Sequence, residues 1–94
     1  MIKSYKTPDL EFFFKSNRTG GKIPPDLAKR ILRQLIAVDA ASDVNDLRIP
    51  PGNHLELLKG DREGQYSIGV NKQYRLCFHF IGGNAFNVEL VDYH

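Results

Sequence analysis

Hydrophobic positions follow two different periods along this chain. In the first half, apolar residues recur at spacings of three and four, which predicts an amphipathic helix opened by Pro24-Pro25-Asp26. The polar residues of the same segment fall on the opposite face, which we expect to lie in solvent or, as the less common alternative, to contact a partner. The buried stripe comprises Leu27, Ala28, Ile31, Leu32, Leu35 and Val38, and the polar face comprises Lys29, Arg30, Arg33 and Gln34.

An earlier helix is predicted over residues 8–17, after a short strand candidate at residues 2–5. Thr7-Pro8 is typical of a helix N-cap followed by proline at the first helical position. Negative charge in the first turn suits the helix dipole, and Gly20-Gly21 predicts the end of the helix. The first turn carries Asp9 and Glu11, and the buried stripe carries Leu10, Phe13 and Phe14.

After residue 53 the hydrophobic period changes from about 3.6 to about 2, which is typical of β-strands. A loop over residues 42–53 separates the two regimes. Helices followed by consecutive strands predict an α+β fold with two N-terminal helices packed on a mainly antiparallel sheet, and 94 residues make one domain, 1–94. The strands are predicted at residues 54–58, 65–70, 74–81 and 86–93, with turns at 71–73 and 82–84.

The strand at residues 74–81 alternates between aromatic or aliphatic side chains and polar ones. Side chains two residues apart share a face of a sheet, so the apolar set should pack on the helices. Arg75 should then point to the open face of the sheet, where a cation can meet a ligand. The apolar set is Tyr74, Leu76, Phe78 and Phe80, and the other set is Arg75, Cys77 and His79.

Two further segments carry chemistry. The closing run brings Asp92, Tyr93 and His94 to the end of the last strand, and the charged loop at residues 59–65 lies between glycines. Together with Arg75 these groups suit phosphodiester cleavage by a neighbouring ribose hydroxyl, which needs a base, a cation on the phosphate and an acid, but no metal or cofactor. Tyr93 is suited to stacking on an RNA base.

The amino-acid composition limits the class of protein but does not identify a substrate. The net charge of +2 permits a polyanionic partner but does not require one. A single cysteine, Cys77, excludes an internal disulfide and a multi-thiolate metal site, and it is expected to be a small buried hydrophobe. No signal peptide or apolar run of membrane-spanning length is present, so the cytoplasm is the expected location.

These motifs, taken in order, give a sequence that resembles the HigB toxins of the RelE/ParE superfamily, from bacterial type II toxin-antitoxin systems. The resemblance spans nearly the whole chain. It is carried by Met1-Ile2-Lys3-Ser4-Tyr5, Pro50-Pro51-Gly52-Asn53-His54-Leu55-Glu56, Leu58-Lys59-Gly60-Asp61-Arg62-Glu63-Gly64-Gln65, Tyr74-Arg75-Leu76-Cys77-Phe78 and Val91-Asp92-Tyr93-His94.

The resemblance implies a RelE-like microbial ribonuclease-type fold with a curved sheet, and an endoribonuclease that cuts mRNA in the ribosomal A site. It also implies neutralisation by a HigA-like helix-turn-helix antitoxin, with operator DNA bound only through that partner. It marks Asp92, Tyr93 and His94 as catalytic, Arg75 as the phosphate-binding arginine and Lys59 as a basic neighbour. Lys59, Arg62, Arg75 and Tyr93 are the expected RNA-binding residues.

One position departs from the family pattern. Some relatives carry a catalytic histidine two residues before the leucine of the Leu-Lys-Gly segment, where this chain has Glu56, and His54 lies two residues earlier. Both are therefore possible site residues, and either Asp92 or His94 is the base. The alternatives are a ParE-like gyrase poison, which the polar ending argues against, and a weakly active or non-enzymatic module that only binds a partner.

Overall fold

Two helices and a four-stranded antiparallel sheet form the frame of this protein. The computed structural model describes residues 1–18 and 23–93. Short 3₁₀ turns join the longer elements at Pro25–Leu27, Val44–Arg48, Pro51–Asn53 and Gly60–Arg62. The helices are α1 (Pro8–Ser16) and α2 (Ala28–Ala40), and the strands are β1 (Glu56–Leu57), β2 (Tyr66–Gly69), β3 (Tyr74–Ile81) and β4 (Asn84–Asp92).

Helix α1 begins at the predicted proline and packs on the core through the predicted stripe. Leu10 and Phe13 are fully buried, and Phe14 is partly buried against the same cluster. Asn17 ends the helix in a left-handed conformation, and its backbone amide donates to the Phe13 carbonyl at 2.8 Å. The predicted stop at Gly20-Gly21 lies outside the described residues.

Helix α2 confirms the apolar stripe and corrects one residue of the polar face. Ile31, Leu35 and Val38 have no measurable exposure. Gln34, which the pattern placed on the exposed polar face, is only 6% exposed. The prediction was wrong because the Gln34 side-chain amide donates to the carbonyl of Gly69 at 2.8 Å, where β1 no longer pairs with the edge of β2. An edge carbonyl buried beneath a helix needs such a donor.

The sheet is an antiparallel meander in the order β1, β2, β3, β4. This confirms the predicted α+β fold, and β3 has the predicted bounds. Residues 2–6 do not form a regular strand, as predicted for 2–5, but lie alongside β4 through two parallel bridges, Ile2 with Ala85 and Tyr5 with Val88. The strand predicted at 54–58 is confined to β1, because His54 adopts a left-handed φ of 47° that breaks the extended run.

A β-bulge in β4 decides which side chains reach the open face. Before the bulge His79 pairs with Phe86, and after it Cys77 pairs with Glu89, so β4 contains one extra residue between these pairs. Asn87 takes up that residue with a φ of 55°, and its backbone amide donates to the Ser4 hydroxyl at 2.9 Å. The shift turns Glu89 to the side of Arg75, opposite to the helices.

The hydrophobic core lies between the helices and one face of the sheet. Both α1 and α2 contribute to it, as do the helix-facing positions of the three longer strands. The predicted aromatic positions of β3 belong to it, with Leu76 and Phe78 fully buried and Tyr74 and Phe80 partly buried. The opposite face of the sheet is therefore left to polar side chains, and that face holds the candidate site.

Candidate active site

Arg75 is the central cation of the open sheet face, as its alternation in β3 predicted. Its Nε donates to the Ser67 hydroxyl at 2.8 Å, and its Nη2 donates to the His54 carbonyl at 2.8 Å. The side chain is only 17% exposed. Two neutral acceptors thus fix the guanidinium without cancelling its charge, and within residues 1–18 and 23–93 its Nη1 has no hydrogen-bond partner and can meet an anion.

Gly69 makes room for this arrangement. Gly69 pairs with Arg75 across β2 and β3, and a Cβ atom added to it would lie 3.3 Å from Nη1 of Arg75. That approach is tighter than ordinary van der Waals contact, so a larger residue would push the guanidinium away from its position. The glycine in the strand therefore marks a close approach to a functional side chain, as isolated strand glycines often do.

A groove beside Arg75 gathers groups that can exchange protons. His54, Glu56 and Tyr93 line it together, and Oε1 of Glu56 lies 3.9 Å from Nη2 of Arg75. Glu56 is largely exposed, so the groove leaves its carboxylate accessible to a ligand. The structure thus brings His54 and Glu56, the two residues at which the chain departs from the family pattern, close to Arg75. His54 also contributes its backbone carbonyl.

Tyr93 separates this groove from a second depression. It lines both, and it is 37% exposed. The second depression is lined by Lys59, Asp61 and Arg62 from the charged loop, which folds as a 3₁₀ turn between glycines at positive φ. An exposed aromatic ring with cations on both sides is the arrangement that holds single-stranded nucleic acid.

Arg62 is held by an internal ion pair. Its Nη1 lies 3.1 Å from Oε2 of Glu89 and 3.2 Å from Oε1 of Gln65. Lys6 reaches the same Glu89 oxygen at 3.5 Å. The hydrogen bond to Glu89 raises the pKa of Arg62 above its usual value, against the opposing effect of burial.

Cys77 and Tyr93 complete this face. Cys77 is fully buried, as expected, and burial raises the pKa of its thiol. Burial and then the neighbouring thiol raise the pKa of Tyr93 above its usual value of 10.0. Tyr93 is therefore a neutral phenol at neutral pH, able to stack or to donate a hydrogen bond.

Asp92, a further predicted catalytic residue, lies at the end of β4. Asp92 pairs with Tyr74 and lines a depression on the α1 side of the sheet, and its Oδ2 accepts a hydrogen bond from the Gln73 amide at 3.3 Å. It also lines the depression that contains Lys59. His94 lies outside the described residues. The structure therefore brings Arg75, Tyr93, Glu56 and His54 together, with Lys59 in the adjoining depression.

Several residues of the site escaped the sequence analysis. Ser67, Glu89, Arg30 and Lys72 were not identified, yet the first two contact the predicted arginines and the last two line the groove beside Arg75. Ser67 shares strand alternation with Gly69, which was an available signal. No such signal was available for Glu89, because the bulge at Asn87 decides which face of the sheet Glu89 lies on.

Two structural features are absent from the described part of the chain. No helix within residues 1–18 and 23–93 combines the length and apolar character needed to cross a bilayer. Across those same ranges, histidine, cysteine and acidic side chains do not gather in threes at any point where they could hold a metal ion.

Comparison with solved structures defines the class to which this fold belongs. The chain is similar to a chain of the heterotetrameric YoeB-YefM toxin-antitoxin complex from Staphylococcus aureus, with a TM-score of 0.60 and 20% identity, covering 100% of this chain and 98% of the other. At that identity the likeness shows the fold alone. The two chains therefore share one fold, in which two helices pack on an antiparallel sheet.

Sequence comparison identifies the family. A family model described as the RelE-like toxin of type II toxin-antitoxin system HigB matches residues 3–94, and the chain belongs to this HigB-like toxin family. It is 42% identical over 90 residues to Toxin HigB-1 of Vibrio cholerae, covering 96% of this chain and 95% of that protein. It is 39% identical over 94 residues to Endoribonuclease HigB of Proteus vulgaris, covering 100% of each. The resemblance read from the motifs is confirmed.

Proposed function

We propose that this toxin is an endoribonuclease that cuts mRNA by attack of a ribose 2'-hydroxyl on the adjacent phosphate. The observation that carries the proposal is the guanidinium of Arg75, which lines the groove and is fixed by Ser67 and the His54 carbonyl, with no hydrogen bond to its Nη1 from residues 1–18 and 23–93. Further support comes from the Proteus vulgaris relative, which is named as an endoribonuclease and aligns over its full length. A pre-positioned cation of this kind stabilises the charge that develops on a phosphate.

Arg75 meets the non-bridging oxygens of the scissile phosphate, and Lys59 supplies additional positive charge from the adjoining depression. Arginine suits the task because it stays charged and presents its donors in a fork. Tyr93 stacks on a base beside the phosphate and fixes its register. Each of these roles uses a group that lines one of the two depressions joined by Tyr93.

Glu56 takes the proton of the 2'-hydroxyl, and His94 donates a proton to the departing 5'-oxygen. Glu56 is chosen because its carboxylate lies 3.9 Å from Arg75 and remains exposed to the groove. His94 is chosen from the family resemblance. Asp92, the other predicted base, is assigned to orienting the strand end, since its carboxylate accepts a hydrogen bond from Gln73 on the α1 side. A positioned acid or base typically accelerates such a reaction about 100- to 10,000-fold.

The cellular setting follows from the family resemblance. The toxin acts in the cytoplasm on mRNA within the 70S ribosome, so cleavage stops translation and growth. A HigA-like helix-turn-helix antitoxin neutralises it, and operator DNA is bound only through that antitoxin. Membership of a toxin-antitoxin family supports an antitoxin partner.

The test is to induce the protein without an antitoxin and to map new mRNA 5' ends across the transcriptome. Cuts within translated codons are expected, and they should vanish with R75A at equal protein level. DNA damage with intact mRNA would instead indicate a gyrase poison. Growth and mRNA unaffected by soluble, folded protein would indicate a binding module, and either of these results would contradict the proposal.

A further inference from the structure

Among the residues that the structure describes, Arg62 and Glu89 form the most enclosed ion pair on the open face. The Glu89 side chain is 12% exposed and the Arg62 side chain 30% exposed, compared with 60% for Glu56. Glu89 also receives Lys6 at 3.5 Å, so one carboxylate faces two cations. A carboxylate so enclosed would be costly without these partners.

Arg62 links the charged loop to the sheet. It lies in the 3₁₀ turn Gly60–Arg62, whereas Glu89 lies in β4, 27 residues further along the chain. Backbone hydrogen bonds close the loop on itself, from the Leu58 amide to the Gln65 carbonyl at 2.8 Å and from the Gln65 amide to the Arg62 carbonyl at 3.0 Å. The loop is therefore a compact unit that the ion pair attaches to β4.

Lys59 leads into this unit, and Lys59, Arg62 and Tyr93 line the same depression. The position of Lys59 relative to Tyr93 consequently depends on how the loop sits on the sheet. Lys59 itself is exposed and has no ion pair within the described ranges 1–18 and 23–93, so its charge remains available to a ligand.

We propose that Glu89 and Arg62 form a positioning pair that holds the loop over residues 59–65 on the sheet, so that Lys59, and not Arg62, meets an RNA phosphate beside Tyr93. The inference rests on the proposed ribonuclease function and revises the role expected for Arg62, from RNA-binding residue to positioning residue. A phosphate approaching Arg62 would have to compete with Glu89, whose negative charge lies 3.1 Å from Nη1. At Arg75 the two shortest contacts are to neutral oxygens, and the nearest carboxylate, that of Glu56, is farther away at 3.9 Å and is 60% exposed, so a phosphate meets weaker competition there.

The test compares E89Q, R62Q and the double variant R62Q/E89Q in single-turnover cleavage of mRNA on programmed ribosomes. Glutamine keeps the shape of glutamate, and all variants are first checked for wild-type circular dichroism. Each single variant should lower the cleavage rate about 10-fold at saturating enzyme, and the double variant should be no slower than either, since both changes break one contact. R62K, which keeps the charge, should recover part of the loss.

Glu63 provides the matched control. It lies in the same loop and is exposed, and E63Q makes the same change of charge as E89Q without touching the ion pair. E63Q should cleave at the wild-type rate. A 10-fold loss in E63Q would show that loop charge alone sets the rate, which would overturn the positioning role.

If Arg62 contacts a phosphate directly, the effect of E89Q on RNA binding and cleavage should have the opposite sign. In that case E89Q would free the arginine, tighten RNA binding and leave cleavage at or above the wild-type rate. R62Q alone would then lower the slope of log Kd against log salt by about one. This pair of results would overturn the proposal.

Amide hydrogen exchange separates this inference from the ribonuclease function. If the pair holds the loop, the amides of Leu58 and Gln65 should exchange faster in E89Q and R62Q than in the wild type and in E63Q. Unchanged exchange in both variants would overturn the inference even if the protein is an active ribonuclease. A wild-type protein that cuts no mRNA would overturn the proposed function, while the exchange result would still decide whether Glu89 holds the loop.

Discussion

The two faces of the sheet are specified by different physics. On the helix side, Ile68, Leu76, Phe78 and Val88 are fully buried and apolar. On the other side, the arrangement depends on hydrogen bonds of defined length, such as the 2.8 Å contact of Arg75 with Ser67. The helix face depends on the amount of apolar surface removed from water, whereas the open face depends on where single atoms lie. Stability and function should therefore respond to different substitutions.

The division between the two faces of the sheet is not a division between buried and exposed residues. Ser67 and Cys77 point to the polar face, yet neither has measurable exposure. Arg75 contacts the Ser67 hydroxyl, and Arg62 and Tyr93 interact with the Cys77 thiol. The open face is thus a second, thin layer in which buried side chains support those that we propose to be catalytic.

The largest expected effect on stability comes from the helix face. F78A removes a fully buried aromatic ring and should lower the free energy of unfolding by about 3–5 kcal/mol. The control is I81A on the same strand, where Ile81 is 65% exposed and the loss should stay within about 0.5 kcal/mol. Urea unfolding of the two variants measures the difference. Equal losses would contradict the assignment of faces in β3.

A smaller effect is expected at the bulge that connects the two faces. Asn87 has a φ of 55°, and a β-branched residue there should cost about 1–2 kcal/mol. N87V should therefore lower the unfolding midpoint, and because a lost bulge would turn Glu89 to the helix side, it should also lower cleavage. N87G tolerates positive φ and serves as the control. A variant N87V with wild-type stability and activity would show that the bulge does not set the register.

The smallest expected effect is on the pH dependence of stability, and it arises from Tyr5, which lies outside the candidate site. Burial, with the nearby charges of Asp39 and Glu11, raises the pKa of Tyr5 from 10.0 to about 12. The folded protein then holds the phenol proton of Tyr5 more tightly than the unfolded chain does. The stability that Tyr5 contributes is therefore complete below pH 10 and is lost as the pH rises toward 12. Stability should fall less steeply across that window in Y5F than in the wild type. Parallel curves would contradict the assignment to Tyr5.

The helix face was the part of the molecule that its sequence predicted well. Alternation in β3 and the three- and four-residue spacing in α2 reflect burial directly, so the bounds of β3, the helix stripe and the side of Arg75 could be derived from them. Gln34 failed because its burial follows from an unpaired carbonyl at Gly69, which no local pattern reveals. The contact of Arg62 with Glu89 joins residues 27 apart and depends on the bulge, so periodicity could not have found it.

The central claim is that Arg75 stabilises the charge on the scissile phosphate. Single-turnover mRNA cleavage on programmed ribosomes by wild-type protein, R75K and R75A tests it most directly, with added guanidinium as a chemical replacement for the lost side chain. R75A should be slower by about 100- to 1,000-fold with little change in unfolding midpoint, guanidinium should restore part of the rate, and R75K should lie between because lysine lacks the fork. Folded R75A that cuts mRNA at the wild-type rate would contradict the account.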